Sequence, residues 1–273
     1  MKRIQTVVLL AALAVLLQGA TGCNKLKARD RLNKGVQAYK AAKYEDAIER
    51  FKEAVDLDPN LKNAKLYLAT AYAQQFIPGV ESEENLRNAS LAIEQYKEIL
   101  QQFPDDKQSS IHANKGIASL YFGMKKFDEA KENHRKVLAA DPSDPEAYYS
   151  IAVINWSQTY VPRQEKRAAL GLKPDEPLKD KKACAEVREA NLAKVEEGIE
   201  MLKKAIELRP EYEDAMAYLN LMYREKADIQ CDDDAVRTEL LKLADDMVAK
   251  TMAVKKAKAE KAAKEPAGVH LEN

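Results

Sequence analysis

Small and bulky apolar positions recur along this chain in a fixed rhythm. Four times a tiny residue is followed four positions on by a larger one. A small or branched residue comes three further, and a proline five beyond that. The four sets are Ala47, Phe51, Ala54 and Pro59; Ala92, Tyr96, Ile99 and Pro104; Ala130, His134, Val137 and Pro142; and Gly198, Leu202, Ala205 and Pro210. Steps of four and three keep the first three positions on one face of a helix. The proline closes that helix because it has no N–H for the ladder. A second helix is predicted upstream of each set, with Gly35, Ala69, Ala118 and Ala152 as small positions near its middle. A small residue lets two backbones approach, and a bulky one a turn later fills the groove that remains. The prolines lie 45, 38 and 68 residues apart, which predicts an all-α repeat with insertions. An ordinary helical bundle with accidental periodicity is the alternative, and four copies of one internal spacing argue against it.

Further residues extend the pattern. Tyr72 and Tyr121 stand three beyond Ala69 and Ala118, and Tyr44 and Phe127 stand three before Ala47 and Ala130. The clearest copy, RLNKGVQAYKAAKYEDAIERFKEAVDLDPN, resembles the tetratricopeptide repeat, a pair of antiparallel helices A and B in about 34 residues. It departs from the family at Lys34, where an apolar residue is preferred. Later copies depart at His134, in place of an aromatic, and at Gly198, in place of alanine. The resemblance implies a right-handed superhelical solenoid of about five helix pairs over 28–252, because such pairs bury their apolar faces only by stacking.

In that layout unit one runs from about Ala28 to Asn60. Unit two has helix A near Lys62 to Phe76, a break at Pro78-Gly79, and helix B over Glu83 to Phe103. Unit three spans about Ser110 to Ala140. Unit four opens at Pro145, with helix A reaching about Ser157. An insertion over about 158–182 follows, rich in lysine and arginine and holding Pro162, Pro174 and Pro177. A long helix B starts at Asp180, unit five at Glu213, and a capping helix covers Ala235 to about Met252. Residues 253–273 are expected to form a basic, flexible tail.

In this family the concave groove is lined mainly by helix A, which implies where a partner would bind. Aligned units place Leu32, Val36 and Tyr39; Leu66 and Thr70; Lys115, Ser119 and Phe122; Tyr149, Val153 and Trp156; and Leu221 and Arg224 on that wall. Tyr39, Leu66, Lys115, Phe122, Tyr149, Trp156 and Arg224 are the candidate contacts, since aromatic and long side chains offer large contact area. The competing reading buries the aromatics between helices, most readily Tyr39 and Phe122. Some members grip a C-terminal carboxylate with Lys, Asn and Arg at set places. Here Arg29 and Asn33 begin such a clamp, but Asn63, Tyr67, Gly116, Glu146 and Ser150 do not complete it.

The chain begins with Lys2 and Arg3, then the eleven apolar residues Val7 to Leu17, too few to span a bilayer. Gly19-Ala20-Thr21-Gly22-Cys23 follows and resembles a bacterial lipobox, with Ala20 where leucine is commoner. The resemblance implies a signal peptide over 1–22, lipid on the Cys23 thiol and a short tether over 23–27. A plain secretory signal is the alternative. Asn24, where an aspartate would signal inner-membrane retention, implies an outer-membrane address facing the periplasm.

Lysine plus arginine and aspartate plus glutamate number 44 each, so charge offers no argument for nucleic acid. With Cys23 assigned to lipid, Cys184 and Cys231 remain. In an oxidising compartment a pair is a candidate disulfide. In the stacking that the resemblance implies, both lie at A–B connections, which emerge along one edge; two unpaired thiols are the alternative. Chemistry is sparse. His112, His134 and His270 stand in no HExxH, and there is no CxxC or phosphate-cradling glycine loop. Glu83-Glu84 and Asp232-Asp233-Asp234 are read as solvated helix starts. No catalytic role, metal or cofactor is expected. The expected partners are envelope proteins or peptides, held near a membrane by the lipid anchor. A competing reading is a binder of cell-wall glycan or a small ligand, with Trp156 and Tyr160 as contacts.

Overall fold

The computed structural model describes residues 22–173 and 176–264. The expected signal peptide, apart from Gly22, lies outside them, as do Pro174, Asp175 and the tail from residue 265, His270 included. The described residues form ten α-helices and no strand. They divide into two compact units after Lys126. The first unit holds α1 (22–40), α2 (Tyr44–Leu57), α3 (Lys62–Gln75), α4 (Glu83–Gln102) and α5 (Lys107–Gly123). The second holds α6 (Phe127–Ala140), α7 (Pro145–Ala169), α8 (Lys181–Leu208), α9 (Glu213–Asp228) and α10 (Asp234–Lys264). None of the described helices is long and apolar enough to cross a membrane.

The helix ends follow from local chemistry. The helices α2, α4, α6 and α8 stop at Leu57, Gln102, Ala140 and Leu208, each two residues before its proline. Proline disfavours the helical conformation in the residue preceding it. That intervening residue still turns its N–H back: Asp58 to Ala54, Phe103 to Ile99, Asp141 to Val137 and Arg209 to Ala205. Helices α1 and α5 end in another way, on a left-handed residue, Ala42 (φ 57°) and Lys125 (φ 59°). The N–H beyond it wraps back over the last turn, Lys43 to Ala38 at 3.0 Å and Lys126 to Tyr121 at 2.8 Å. Starts are capped by Ser82, Asp106, Asp144 and Asp180, whose side chains accept from backbone N–H groups three residues on.

The small-against-bulky rule is visible in the packing. In the first unit a methyl at Gly35 would sit 2.5 Å from the Phe51 ring, and one at Gly116 would sit 2.5 Å from Tyr96. Phe51, Tyr96, Ile99 and Ile117 form the buried centre of that unit. In the second unit Gly198 faces the terminal methyl of Met222, and the core gathers Val195, Leu202, Leu219, Met222 and Ala244. Two alanine substitutions should therefore differ. Gly35→Ala drives a methyl into a ring that is 0% exposed and is expected to cost about 1–3 kcal/mol. Gly198→Ala meets only the end of a flexible side chain and gains helix propensity of about 1 kcal/mol, so it should be close to neutral or stabilising. Urea denaturation of both variants checks the contrast.

Two boundaries differ from those read in the sequence. The first helix of unit four does not stop near Ser157; α7 continues to Ala169 with Pro162 inside it. The Thr159 carbonyl, in the turn that this proline perturbs, accepts from Asn191 Nδ2 of α8 at 3.2 Å. The helix then ends at Gly171 (φ 67°) in the same wrap-back seen at Ala42 and Lys125, with Leu172 N–H on the Arg167 carbonyl at 3.1 Å. Of the expected insertion, only the stretch from Leu170 to Asp180 is non-helical in its described part. Likewise the capping helix does not end near Met252. It runs to Lys264, held along α9 by Lys258, which reaches Glu213 at 2.6 Å and the Glu211 carbonyl at 3.0 Å.

Candidate partner-binding site

The aromatic side chains of the second unit form one connected ribbon. Tyr149, Trp156 and Tyr160 occupy one face of α7 at i, i+7 and i+11. Trp156 stacks on Tyr160 with ring centroids 4.6 Å apart. Tyr218 of α9 meets Trp156 edge-on at 5.6 Å and Tyr149 edge-on at 5.5 Å. Tyr149 also touches Tyr212, just before α9, at 5.1 Å. Tyr212 is buried, Tyr149, Tyr218 and Trp156 are half-buried, and Tyr160 is exposed. Such rings present broad apolar faces with polar tips.

Charged groups border the ribbon. The Arg209 guanidinium lies over Tyr212 at 4.4 Å and pairs with Glu146 at 2.5 Å. Glu146 also accepts from the Tyr212 hydroxyl at 2.5 Å. Burial first, and then this carboxylate, push the Tyr212 phenol far above its ordinary range. Burial, with Tyr218, Asp214 and Glu146 nearby, pushes Tyr149 up to about 12. Burial and Asp214 raise Tyr218 as well. At the other end Arg163 lies over Tyr160 at 5.6 Å.

Arg163 leads into the corner that supports this end of α7. It bonds Glu225 at 2.7 Å and also Asp228, and Arg167 bonds Asp228 at 3.0 Å. Arg167 further donates to the carbonyls of Lys173 and Glu176, so it ties down the segment after α7. Glu225 is 2% exposed, and burial pushes its carboxyl up to about 7 against the pull of Arg163 and Arg167. Beside this cluster lie Leu178, Val187 and Ile229 and the disulfide between Cys184 and Cys231, with Cα atoms 5.6 Å apart.

The other expected contacts are placed as follows. Tyr39 lies half-buried with its edge toward Tyr44 at 5.4 Å, and Leu66 packs partly buried on the core of the first unit. Lys115 and Phe122 are half-buried on α5. Arg224 does not join the ribbon: its guanidinium turns to Asp245 of α10 at 2.6 Å. Tyr218 takes part instead. Alignment of the units puts Ala217 opposite Tyr149, so Tyr218 is missed by one position. Among the described residues no group of three or more His, Cys, Asp and Glu is arranged to hold a metal ion. His134 keeps its repeat position in α6, 8% exposed, and His112 lies 6.1 Å from Tyr96, where burial and Lys115 lower its pKa.

The family model described as Tetratricopeptide repeat matches residues 32–107 and 116–176, just over half of the chain. No curated protein matches the chain in sequence. Among solved structures it is similar to MamA from Desulfovibrio magneticus RS-1, at 19% identity and a TM-score of 0.54, covering 85% of this chain and 96% of that one. A second MamA structure shares 17% identity at a TM-score of 0.55, covering 89% and 98%. YrrB, titled a TPR protein with an unusual peptide-binding site, shares 14% identity at a TM-score of 0.50, covering 89% and 97%. At these identities the likeness is one of fold.

Proposed function

The chain belongs to the tetratricopeptide repeat family, and from that premise we propose that it is a lipid-anchored scaffold holding proteins or peptides of the bacterial cell envelope. The observation that carries the reading is the aromatic ribbon of α7 and α9, which leaves Tyr149, Trp156, Tyr160 and Tyr218 partly open to solvent in a family whose members bind proteins and peptides. A peptide is the ligand class named for YrrB, and it is the class proposed for this ribbon. The Cys184–Cys231 bond supports an oxidising compartment. Cys23, exposed on α1, is the proposed lipid acceptor, and Asn24 supports an outer-membrane address facing the periplasm. In this reading the protein binds and positions; it does not catalyse. The stacked pair Trp156 and Tyr160 favours a second reading, a cell-wall glycan lying on their faces.

The test is photocrosslinking in intact cells from positions 160 and 218, with Glu200, exposed on α8, as control. The same few envelope proteins are expected from both ribbon positions and none from the control. Trp156→Ala should weaken their binding by about 30-fold, the ~2 kcal/mol of an aromatic hot spot. Cys23→Ser should move the protein from the membrane to the soluble fraction. Identical adducts from all three positions, or a mature amino terminus without lipid, would overturn the scaffold and the anchor respectively.

A further inference from the structure

The ribbon repeats one local arrangement, an aromatic face beside a carboxylate. At one end Tyr212 and Glu146 hold Arg209, and at the other Tyr160, with Glu225 and Asp228 behind it, holds Arg163. In the middle stand Tyr149 and Tyr218, 5.5 Å apart and edge-to-face, and Asp214 lies one turn before Tyr218 on the same face of α9, where its charge helps to raise both phenols. Asp214 is exposed in the first turn of α9, where a carboxylate complements the helix dipole. Its neighbour Glu213, in the same first turn but about 100° around the helix, is taken by Lys258 at 2.6 Å. Among the described residues no cation pairs with Asp214. The middle station thus has the rings and the acid of the two ends, without an arginine from the chain itself.

We infer that this station receives an arginine side chain of the partner, and so that the segment docking on α7 and α9 is cationic. This rests on the scaffold reading above and narrows it. A guanidinium is planar and weakly hydrated, so it stacks on an aromatic face while keeping its hydrogen bonds to a carboxylate. The ends of the ribbon do this within the chain. A neutral or acidic peptide would gain the ring contacts but leave Asp214 unanswered or opposed. A sugar would likewise use the Trp156 face and leave Asp214 without a counter-charge.

The single tryptophan, Trp156, reports directly on this site. Its emission is followed while the full protein is titrated with an acetylated, amidated Gly-Ser octapeptide carrying two arginines. A twin peptide carries citrulline, which keeps the planar group and loses the charge. The arginine peptide should bind about ten-fold more tightly than its twin, with the difference shrinking as salt is raised. Asp214→Asn should bring the arginine peptide to the level of the twin and leave the twin unchanged. Because Asp214 is exposed, the thermal unfolding midpoint of the variant should fall only by the small contribution of a first-turn carboxylate to the helix dipole. Equal binding of the two peptides, or no response to the arginine peptide at millimolar concentration, overturns the inference. If the crosslinks from positions 160 and 218 persist in that case, the scaffold reading stands and only the cationic partner falls. If chitooligosaccharides shift the emission and abolish the crosslinks while peptides do neither, both readings fall.

Discussion

Arg167→Met is expected to destabilise the second unit by about 3–5 kcal/mol, a large share of the stability of any domain. Arg167 is 1% exposed and serves three groups at once: Asp228 and the carbonyls of Lys173 and Glu176. Methionine fills much the same volume, so the loss measures unanswered polar groups and not a cavity. Asp228 retains Arg163, but the two carbonyls lose their common donor. The effect should depend on pH with a defined sign. Arg167 helps to keep the buried Glu225 ionised, and burial already raises that carboxyl to about 7. Without Arg167 the folded-state pKa of Glu225 moves further above its unfolded value of 4.5. A raised folded pKa contributes stability that is present below the unfolded value and lost as pH rises through the folded one. The deficit of the variant should therefore be larger at pH 8 than at pH 5. Urea unfolding followed by Trp156 emission at the two pH values measures it, and equal deficits would sink this account of the corner.

The consequence reaches the binding ribbon because the corner positions its outer end. Tyr160 and Arg163 lie on the part of α7 that extends beyond Ser157, and that part is held by Asp228, Glu225 and Asn191. A loosened corner should therefore weaken partner binding at Tyr160 more than at Tyr149, whose neighbours are Tyr212 and Tyr218.

The same contrast explains what could be read from the residues alone. The all-α, paired-helix fold was legible because its signals are local. At Pro59, Pro104, Pro142 and Pro210 the helix ends two residues upstream, and small and bulky residues at i and i+4 mark a face. The pairing of Cys184 with Cys231 was an expectation from the stacking that the resemblance implies, held against two unpaired thiols, and the bond is present. The extension of α7 was not legible, because Pro162 and the run of basic residues read locally as a break. What overrides them is long-range: Arg163 and Arg167 meet carboxylates more than sixty positions away, and Asn191 donates to the Thr159 carbonyl in the turn before the proline. The length of α10 was hidden for a similar reason, since an alanine–lysine stretch declares no apolar face and is held by Lys258 on Glu213. Arg224 was expected on the groove wall from its alignment with Trp156. One acid on the next helix, Asp245, draws it away. Tyr218 entered the ribbon because a single residue turns the helix face by about 100°.

Removing the disulfide is the second large effect. The bond closes a loop of 47 positions that contains nearly all of α8 and the whole of α9. Chain entropy alone assigns such a loop about 4 kcal/mol, an account in which the bond acts by restricting the unfolded chain. Two features keep the native side of the balance intact. Cys184 is 0% exposed and seated against Leu178, Val187 and Ile229, and its sulfur lies 3.8 Å from the Asp228 carbonyl. Serine at 184 would place a hydroxyl among apolar side chains, so Cys184→Ala with Cys231→Ala is the cleaner variant. The double variant should lower the urea midpoint of the Trp156 transition by an amount equivalent to about 3–4 kcal/mol. Reductant should shift the parent as far and the variant not at all. Because Cys184 is enclosed, mild reductant should act on the folded parent only at the rate at which the corner opens, and Arg167→Met should speed that reaction. Parent and double variant with the same midpoint would mean that the ion cluster and the apolar seat hold the corner without the covalent tie.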